Sequence, residues 1–240
     1  MSMFPNSSTL PLDYSRDTEK ARFMVSFFNS VYAWMFAGLG VTALVGWLMS
    51  QSPAELHMVY GNPIGYTALL LGAFLIAVAT QRVAMTINAT AATALFILYA
   101  AVIGALISGV FRVYSIPTLA ASFLVTGATF GVMSVMGFVF KADLTKVGSY
   151  LIMAAIGLFI ASIVNLFLAN DALSWVITYA VLLVFMGLTI YYTQMLKGWA
   201  LQASDNPALA PRLAIIGSLL LYVAFINMFM SILRIMGNRR

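Results

Sequence analysis

Residues 147–169 read VGSYLIMAAIGLFIASIVNLFLA, a run of 23 residues without one charged side chain. A helix that crosses the hydrocarbon core of a bilayer needs about 17–25 such residues, at about 1.5 Å of rise per residue. Lipid offers no partners to backbone amides and carbonyls, and the run lacks the period-two alternation of a membrane β-strand. The stretch therefore predicts a transmembrane α-helix.

Six more stretches of similar length and hydropathy flank this run on both sides. They are Val25–Met49, Ile64–Thr80, Ala91–Val110, Pro117–Phe140, Ala172–Met195 and Leu213–Met236. The connections between them are short and carry the Pro, Asn and Asp residues that end helices. The pattern predicts an all-α polytopic membrane protein, a bundle of seven transmembrane helices.

The composition agrees with a membrane protein and excludes several other classes. Of 240 residues, 62% are hydrophobic and 8% are charged, whereas a soluble domain carries about 25% charged residues. There is no cysteine, and His57 is the single histidine, so thiolate chemistry and multi-histidine metal sites are excluded. We expect no enzymatic activity, no cofactor, no metal site and no nucleic-acid partner.

Charge and hydropathy divide the chain into two regions. Residues 1–22 are polar and are predicted to form a flexible tail, and residues 23–240 a single transmembrane domain. With the N-terminus inside and seven spans, eight Lys and Arg residues fall on the inner side and four on the outer side, which favours this orientation. The arginines at the C-terminus leave one alternative open, a last segment that only half-crosses the bilayer. Short loops and the absence of an export signal favour a bacterial inner membrane over an organelle membrane.

Acidic residues are missing from all seven predicted spans. Intramembrane ion sites and proton relays usually depend on buried carboxylates, which are kept although each costs about 2.5–3.5 kcal/mol on insertion scales. Calcium prefers six to eight oxygen ligands, with carboxylates among them. Neutral groups such as Asn165, Gln194 and Asn227 remain as a candidate polar path, and any calcium site built from them is expected to be weak.

Small residues recur at a spacing of four in two predicted helices. Gly127-x-x-x-Gly131 and Gly104-x-x-x-Ser108 are typical of helices that approach each other closely. We expect them to pack helices within one bundle, with a homodimer contact as the alternative.

Several segments taken together resemble the Bax inhibitor-1 family, also called the transmembrane Bax-inhibitor-motif family, in its bacterial form. The matching segments are LFILYA (95–100), GATFG (127–131), K-x-DL-x-x-x-GS (141–149), IASIVNLFL (160–168), VFMGLTIYYTQMLK (184–197) and LYVAFINMFMSILRIMG (221–237). The resemblance covers about residues 20–237. It implies a seven-helix fold with the seventh helix at the centre of the bundle.

The resemblance also implies a function, from which this chain departs at two positions. The best-described members are pH-sensitive calcium leaks that depend on two aspartates, within the patterns YDTQ and LYLDFIN. Here Tyr192 and Ala224 stand at those positions. An arginine at the end of the second helix latches the aspartates in some members, and Arg82 is its match. We therefore expect this chain to share the fold of the family and to lack its pH-dependent gating.

Three functions follow as expectations. The first is a residual calcium leak that is insensitive to pH. The second is regulation of a membrane-bound AAA protease, because some bacterial members of the family bind and restrain such a protease and also lack the two aspartates. The third is a carrier for lipid or another small molecule.

Overall fold

The structure is a computed structural model, and it describes residues 10–140 and 142–237. Within these ranges the chain is helical, with no strand. The α-helices are α1 (Leu10–Ser50), α2 (Pro53–Tyr60), α3 (Pro63–Thr86), α4 (Ala89–Leu106), α5 (Val110–Val113), α6 (Ile116–Val139), α7 (Thr145–Leu168), α8 (Asp171–Asp205) and α9 (Ala210–Met236), with a 3-10 turn at Pro207–Leu209.

Seven helical segments of the described chain are long and apolar enough to cross a membrane, and each covers one predicted span to within one residue. The prediction of a seven-helix membrane protein is therefore confirmed. The last segment, α9, is one continuous helix of 27 residues, as a full crossing requires and a half-crossing segment does not.

Consecutive spans run in alternate directions, so the bundle has two ends. We call the end where α1 begins the near end; it also holds the α3–α4, α6–α7 and α8–α9 connections. The opposite end is the far end. At the near end, Lys20 of α1 pairs with Asp205 of α8 at 3.9 Å. At the far end, Arg112 donates to the carbonyl of Ser50, at the end of α1.

Helix α9 occupies the centre of the bundle and packs against α1, α3, α4, α6 and α8. In its most apolar stretch 67% of the residues are buried, whereas none is buried in the corresponding stretch of α7. The structure therefore has the seventh span at the centre of the bundle, as the family resemblance implies. Any site inside the bundle must be built on or around α9.

Two connections differ from their sequence interpretation. The connection between the predicted spans Ala172–Met195 and Leu213–Met236 is mostly helix, because α8 continues to Asp205 and no proline interrupts it before Pro207. Ala200 and Ala203, on this extension, are buried in the core. The connection at 51–63 contains the short helix α2, which begins at Pro53, because proline fits the first turn of a helix.

The predicted flexible tail at 1–22 is described only in part. Helix α1 begins at Leu10, so residues 10–22 are helical, and residues 1–9 lie outside the described residues. The boundary between the tail and the transmembrane domain stays a prediction.

Candidate functional site

The two positions that the resemblance assigns to a pH sensor lie in the hydrophobic core. Ala224 on α9 is completely buried, and Tyr192 on the adjacent helix α8 is 9% exposed. Both belong to the same apolar cluster. The ring of Tyr192 packs against the ring of Tyr191 with 5.5 Å between their centroids. These positions therefore hold a methyl group and a phenol in surroundings without ionised groups.

Arg82 does not join these two residues in one site. It lies on α3 near its end, and its side chain is exposed, whereas Tyr192 and Ala224 are buried. Its backbone carbonyl accepts a hydrogen bond from Thr86 at 2.8 Å, inside the same helix. The role of Arg82 as a latch stays a prediction, and among the described side chains no carboxylate is buried.

Gln194 closes the connection between α6 and α7 at the near end. Its amide nitrogen donates to the carbonyls of Phe140 at 3.2 Å and Ala142 at 2.8 Å, and its oxygen accepts from the backbone amide of Leu144 at 3.2 Å. All three partners are backbone groups that follow the end of α6. Gln194 is therefore a clamp on this connection.

The two candidate asparagines also bond to nearby backbone. The side-chain oxygen of Asn165 accepts from the amide of Asn170 at 3.3 Å, across the α7–α8 junction at the far end. Asn227 donates to Val223, one turn earlier in α9, at 2.8 Å. Gln194 and Asn165 lie at opposite ends of the bundle, so the structure does not bring the candidate polar path together as one cluster.

Hydroxyl groups make the interhelical polar contacts that the sequence interpretation missed. Thr42 of α1 donates to the carbonyl of Ala100 in α4 at 2.9 Å and lies 2.5 Å from the hydroxyl of Tyr222 in α9. Ser218 of α9 donates to the carbonyl of Val31 in α1 at 2.9 Å. The sequence feature that could have predicted these contacts is a hydroxyl side chain inside an apolar span, because a buried polar group there needs a hydrogen-bond partner.

A second group of hydroxyls joins three helices nearer to the near end. Tyr32 of α1 donates to Ser134 of α6 at 3.1 Å, and Ser134 lies 3.3 Å from the hydroxyl of Thr193 in α8. Ser134 and Thr193 are buried. Thr193 is next to Tyr192, so this hydroxyl row adjoins in the chain a position that the resemblance assigns to the pH sensor.

The two small-residue motifs have different surroundings. A Cβ built on Gly104 would lie 2.7 Å from the carbonyl oxygen of Thr42, so this glycine lets α4 approach α1 closely, as predicted. A Cβ on Gly127 or Gly131 would meet nothing within 4 Å. Within the described chain no helix uses Gly127 and Gly131 for close approach.

Asp143 lies in the polar connection before α7 and is hydrogen-bonded there. Asp143 accepts from the amide of Thr145 at 2.9 Å and from its hydroxyl at 2.5 Å. These two hydrogen bonds, the side-chain one first, lower the pKa of Asp143, with a smaller contribution from Lys146. Leu144 occupies the N-cap position of α7 without a side-chain hydrogen bond, so the bonds of Asp143 form a turn before the helix and not its cap. Among the described residues, no group of three His, Cys, Asp or Glu side chains is placed to hold a metal ion.

Comparison with known proteins identifies the family. Residues 24–240 match the family model described as inhibitor of apoptosis-promoting Bax1. The chain belongs to the Bax inhibitor family. Its relatives include the inner membrane protein YbhL of Escherichia coli K12, 38% identical over 217 residues, which are 90% of this chain and 92% of YbhL. An uncharacterized protein of Borreliella burgdorferi is 33% identical over 229 residues, 95% of this chain and 99% of that protein.

The Bax inhibitor family match spans all seven transmembrane segments. It includes Arg82, Tyr192 and Ala224, together with Gln194 and the central helix α9. Residues 1–23 precede the matched region. The chain is thus an integral membrane protein of this family, and it has an inner membrane protein of Escherichia coli among its relatives.

Proposed function

We propose that this Bax inhibitor family protein is not an enzyme, lacks pH-gated calcium conduction and acts by binding a membrane-bound AAA protease. The loss of pH gating follows from the burial of Ala224 and Tyr192 in one apolar cluster, and the binding role is the function that the family resemblance leaves once gating is lost. A methyl group does not titrate, and a phenol does not ionise near neutral pH. A pair of carboxylates that shares a proton, which pH gating in the family requires, has no counterpart at these positions.

The contacts of the other polar residues support the same proposal. Gln194 and Asn165 are engaged by backbone groups in connections at opposite ends of the bundle. Asn227 donates to its own helix. Each of these side chains thus has a local structural role, and none of the three needs an ion as a partner.

The charge distribution supports an orientation with the near end in the cytoplasm. Six of the described Lys and Arg side chains lie at the near end, namely Lys20, Arg22, Arg82, Lys146, Lys197 and Arg212; Arg112 and Arg234 lie at the far end. Positive side chains accumulate on the cytoplasmic side of membrane proteins. The N-terminal segment would then be available to a cytoplasmic protease domain.

Calcium flux tests the loss of gating. The purified protein is placed in liposomes that contain a calcium indicator, and calcium entry is measured at about pH 6 and about pH 8. We expect no flux above that of protein-free liposomes at either pH. Flux that changes strongly between the two values would overturn the proposal, because it requires a titrating group in the path.

Co-purification tests the binding role. The full chain and a variant without residues 1–9 are isolated from the membranes of its own cells, and bound proteins are identified. The deletion stops before α1, so the described bundle is left intact. We expect a membrane AAA protease with the full chain and less of it with the variant. Absence of the protease from both samples contradicts this role.

A second candidate is a calcium leak that does not respond to pH, and the hydroxyl row of Tyr32, Ser134 and Thr193 favours it. Neutral oxygens on three helices are the kind of group that could replace part of the hydration shell of an ion, although calcium prefers carboxylates. This candidate predicts equal flux at both pH values in the liposome experiment. Ser134→Ala with Thr193→Val should then reduce that flux.

A further inference from the structure

A groove of about 660 Å³ opens on the side of the bundle at the near end, between α1, α4 and the start of α9. On α1, Ser26, Ser30 and Trp34 follow one another at a spacing of four and therefore share one face of the helix. On α4 and α9 the lining includes Ala89, Thr90, Thr93, Ala94, Pro211 and Ile215.

The groove changes character along its length. The part of the groove closest to the near end is lined by hydroxyl groups. These belong to Ser26 and Ser30 on α1 and to Thr90 and Thr93 on α4. The hydroxyl of Thr93 donates to the carbonyl of Ala89 at 2.9 Å. Farther toward the middle of the bundle the lining ends at Trp34 and Ile215. A ligand that fits this surface has one polar end and one apolar end.

Two arginines adjoin the polar end. Arg22 precedes Phe23, is exposed, and lies one turn before Ser26 on the same helix face. Arg212 follows Pro211 and donates to the carbonyls of Met85 at 3.1 Å and Ile87 at 3.5 Å, which are neutral groups. The single ion pair among the described side chains joins Lys20 to Asp205. Neither guanidinium group therefore pairs with a described carboxylate.

We propose that this groove holds one anionic phospholipid from the leaflet that faces the near end. The phosphate lies at Arg22 and Arg212, the glycerol region lies on the hydroxyls of Ser26 and Thr90, and an acyl chain extends along the apolar part to Trp34. Basic pockets between transmembrane helices on the cytoplasmic side bind anionic headgroups in this way. If a neutral transmembrane helix of another protein occupied the groove, the two arginines at its polar end would have no anionic partner. The inference is independent of the proposed function.

Native mass spectrometry of the full chain in detergent tests the proposal with two probes, dioleoyl phosphatidylglycerol and dioleoyl phosphatidylcholine. We expect one phosphatidylglycerol retained per chain in preference to phosphatidylcholine. Ala94→Phe fills the groove and should abolish this retention. Ala128→Phe, at an exposed position of α6, is the matched control and should keep it. Equal retention of the two lipids, or undiminished retention by Ala94→Phe, overturns the proposal.

Charge variants test the polar end of the groove. An interfacial basic residue contributes about 1 kcal/mol to anionic lipid binding, so Arg22→Gln should weaken phosphatidylglycerol binding about fivefold. Lys146→Gln removes an exposed charge at the near end, on α7, outside the groove lining, and should change binding little. An equal loss in both variants would indicate general surface attraction and contradict a defined site.

Tryptophan quenching locates the lipid without a substitution that fills the groove. It therefore tests the proposal even if the Ala94→Phe variant does not fold. Brominated phosphatidylglycerol is titrated into the protein in detergent. We expect a saturable quenching component that is lost in Trp34→Phe and kept in Trp47→Phe, the control farther along α1. Persistence of that component in Trp34→Phe overturns the proposal.

Discussion

The phenol of Tyr222 donates its hydrogen bond to the hydroxyl of Thr42. Thr42 has one proton to give, and its oxygen lies 2.9 Å from the carbonyl of Ala100, which can only accept. The 2.5 Å contact between the two hydroxyls must then use the proton of Tyr222. Three helices, α1, α4 and α9, meet at this chain of hydrogen bonds, and both side chains are buried.

This direction of donation predicts unequal effects from the two deletions. Tyr222→Phe removes a donor and leaves Thr42 bonded to Ala100, so we expect a loss of about 1 kcal/mol in unfolding free energy. Thr42→Val leaves the buried phenol without its acceptor, which costs about 1–3 kcal/mol. Unfolding in detergent, followed by circular dichroism, measures both.

The double variant is the control for this pair. With both hydroxyls gone no buried group is left unpaired, so its loss should be smaller than the sum of the single losses. Strict additivity would contradict the hydrogen bond between the two side chains.

Gly104 and Gly127 should respond in opposite ways to the same substitution. Gly104→Ala places a methyl group 2.7 Å from the carbonyl oxygen of Thr42, a backbone atom that cannot turn away. We expect it to push α1 and α4 apart and to cost about 1–3 kcal/mol. Gly127→Ala meets nothing within 4 Å and should stabilise α6 by about 0.5–1 kcal/mol. Thermal unfolding of both variants measures these effects. Similar shifts in melting temperature would contradict the close contact between α1 and α4.

The seven spans were predictable because bilayer thickness fixes the length of an apolar helix, whatever its neighbours are. The extension of α8 to Asp205 was not, because the residues after Met195 are more polar and their helix is held by tertiary burial of Ala200 and Ala203. Local propensity cannot report such packing.

The roles of the polar residues were less predictable than the spans. Gln194 lies 50 residues from Leu144 in the chain, and Thr42 lies 180 from Tyr222. Such pairs depend on how the helices are rotated and shifted against each other, which periodicity alone does not fix. The contact between Asp143 and Thr145 is local by comparison, because its acceptor oxygen and the donors on Thr145 are two residues apart.

Gln194 should hold the α6–α7 connection through both ends of its amide. Gln194→Glu keeps an acceptor for the amide of Leu144, loses both donors and places a negative charge against the carbonyls of Phe140 and Ala142. Gln194→Leu removes all three hydrogen bonds without adding charge. We expect faster amide hydrogen exchange at residues 142–146 in both variants, and more so with Glu. An increase in exchange that is confined to other segments would contradict the role of Gln194 as a clamp on this connection.

The hydrogen bonds of Asp143 should make the turn before α7 sensitive to acid. Its pKa is lowered in the folded state by the hydrogen bonds from Thr145, so the ionised form stabilises the fold above the ordinary pKa of about 4. This contribution is lost as pH falls through the folded-state pKa. Asp143→Asn keeps an acceptor oxygen but does not titrate. We expect the wild type to be the more stable of the two at pH 7 and the difference to shrink as the pH falls below about 4, as measured by thermal unfolding.

Restoring the two family aspartates should create pH-dependent calcium flux. Tyr192→Asp with Ala224→Asp puts two carboxylates on packed helices in one apolar cluster, where like charges at short range cannot both ionise and one proton is shared. Flux into liposomes should then differ between about pH 6 and about pH 8. Tyr192→Asn with Ala224→Asn has side chains of nearly the same shape without the titration, and its flux should not change with pH. A folded double aspartate variant with the flux of the wild type would mean that these two positions are not those of the family sensor.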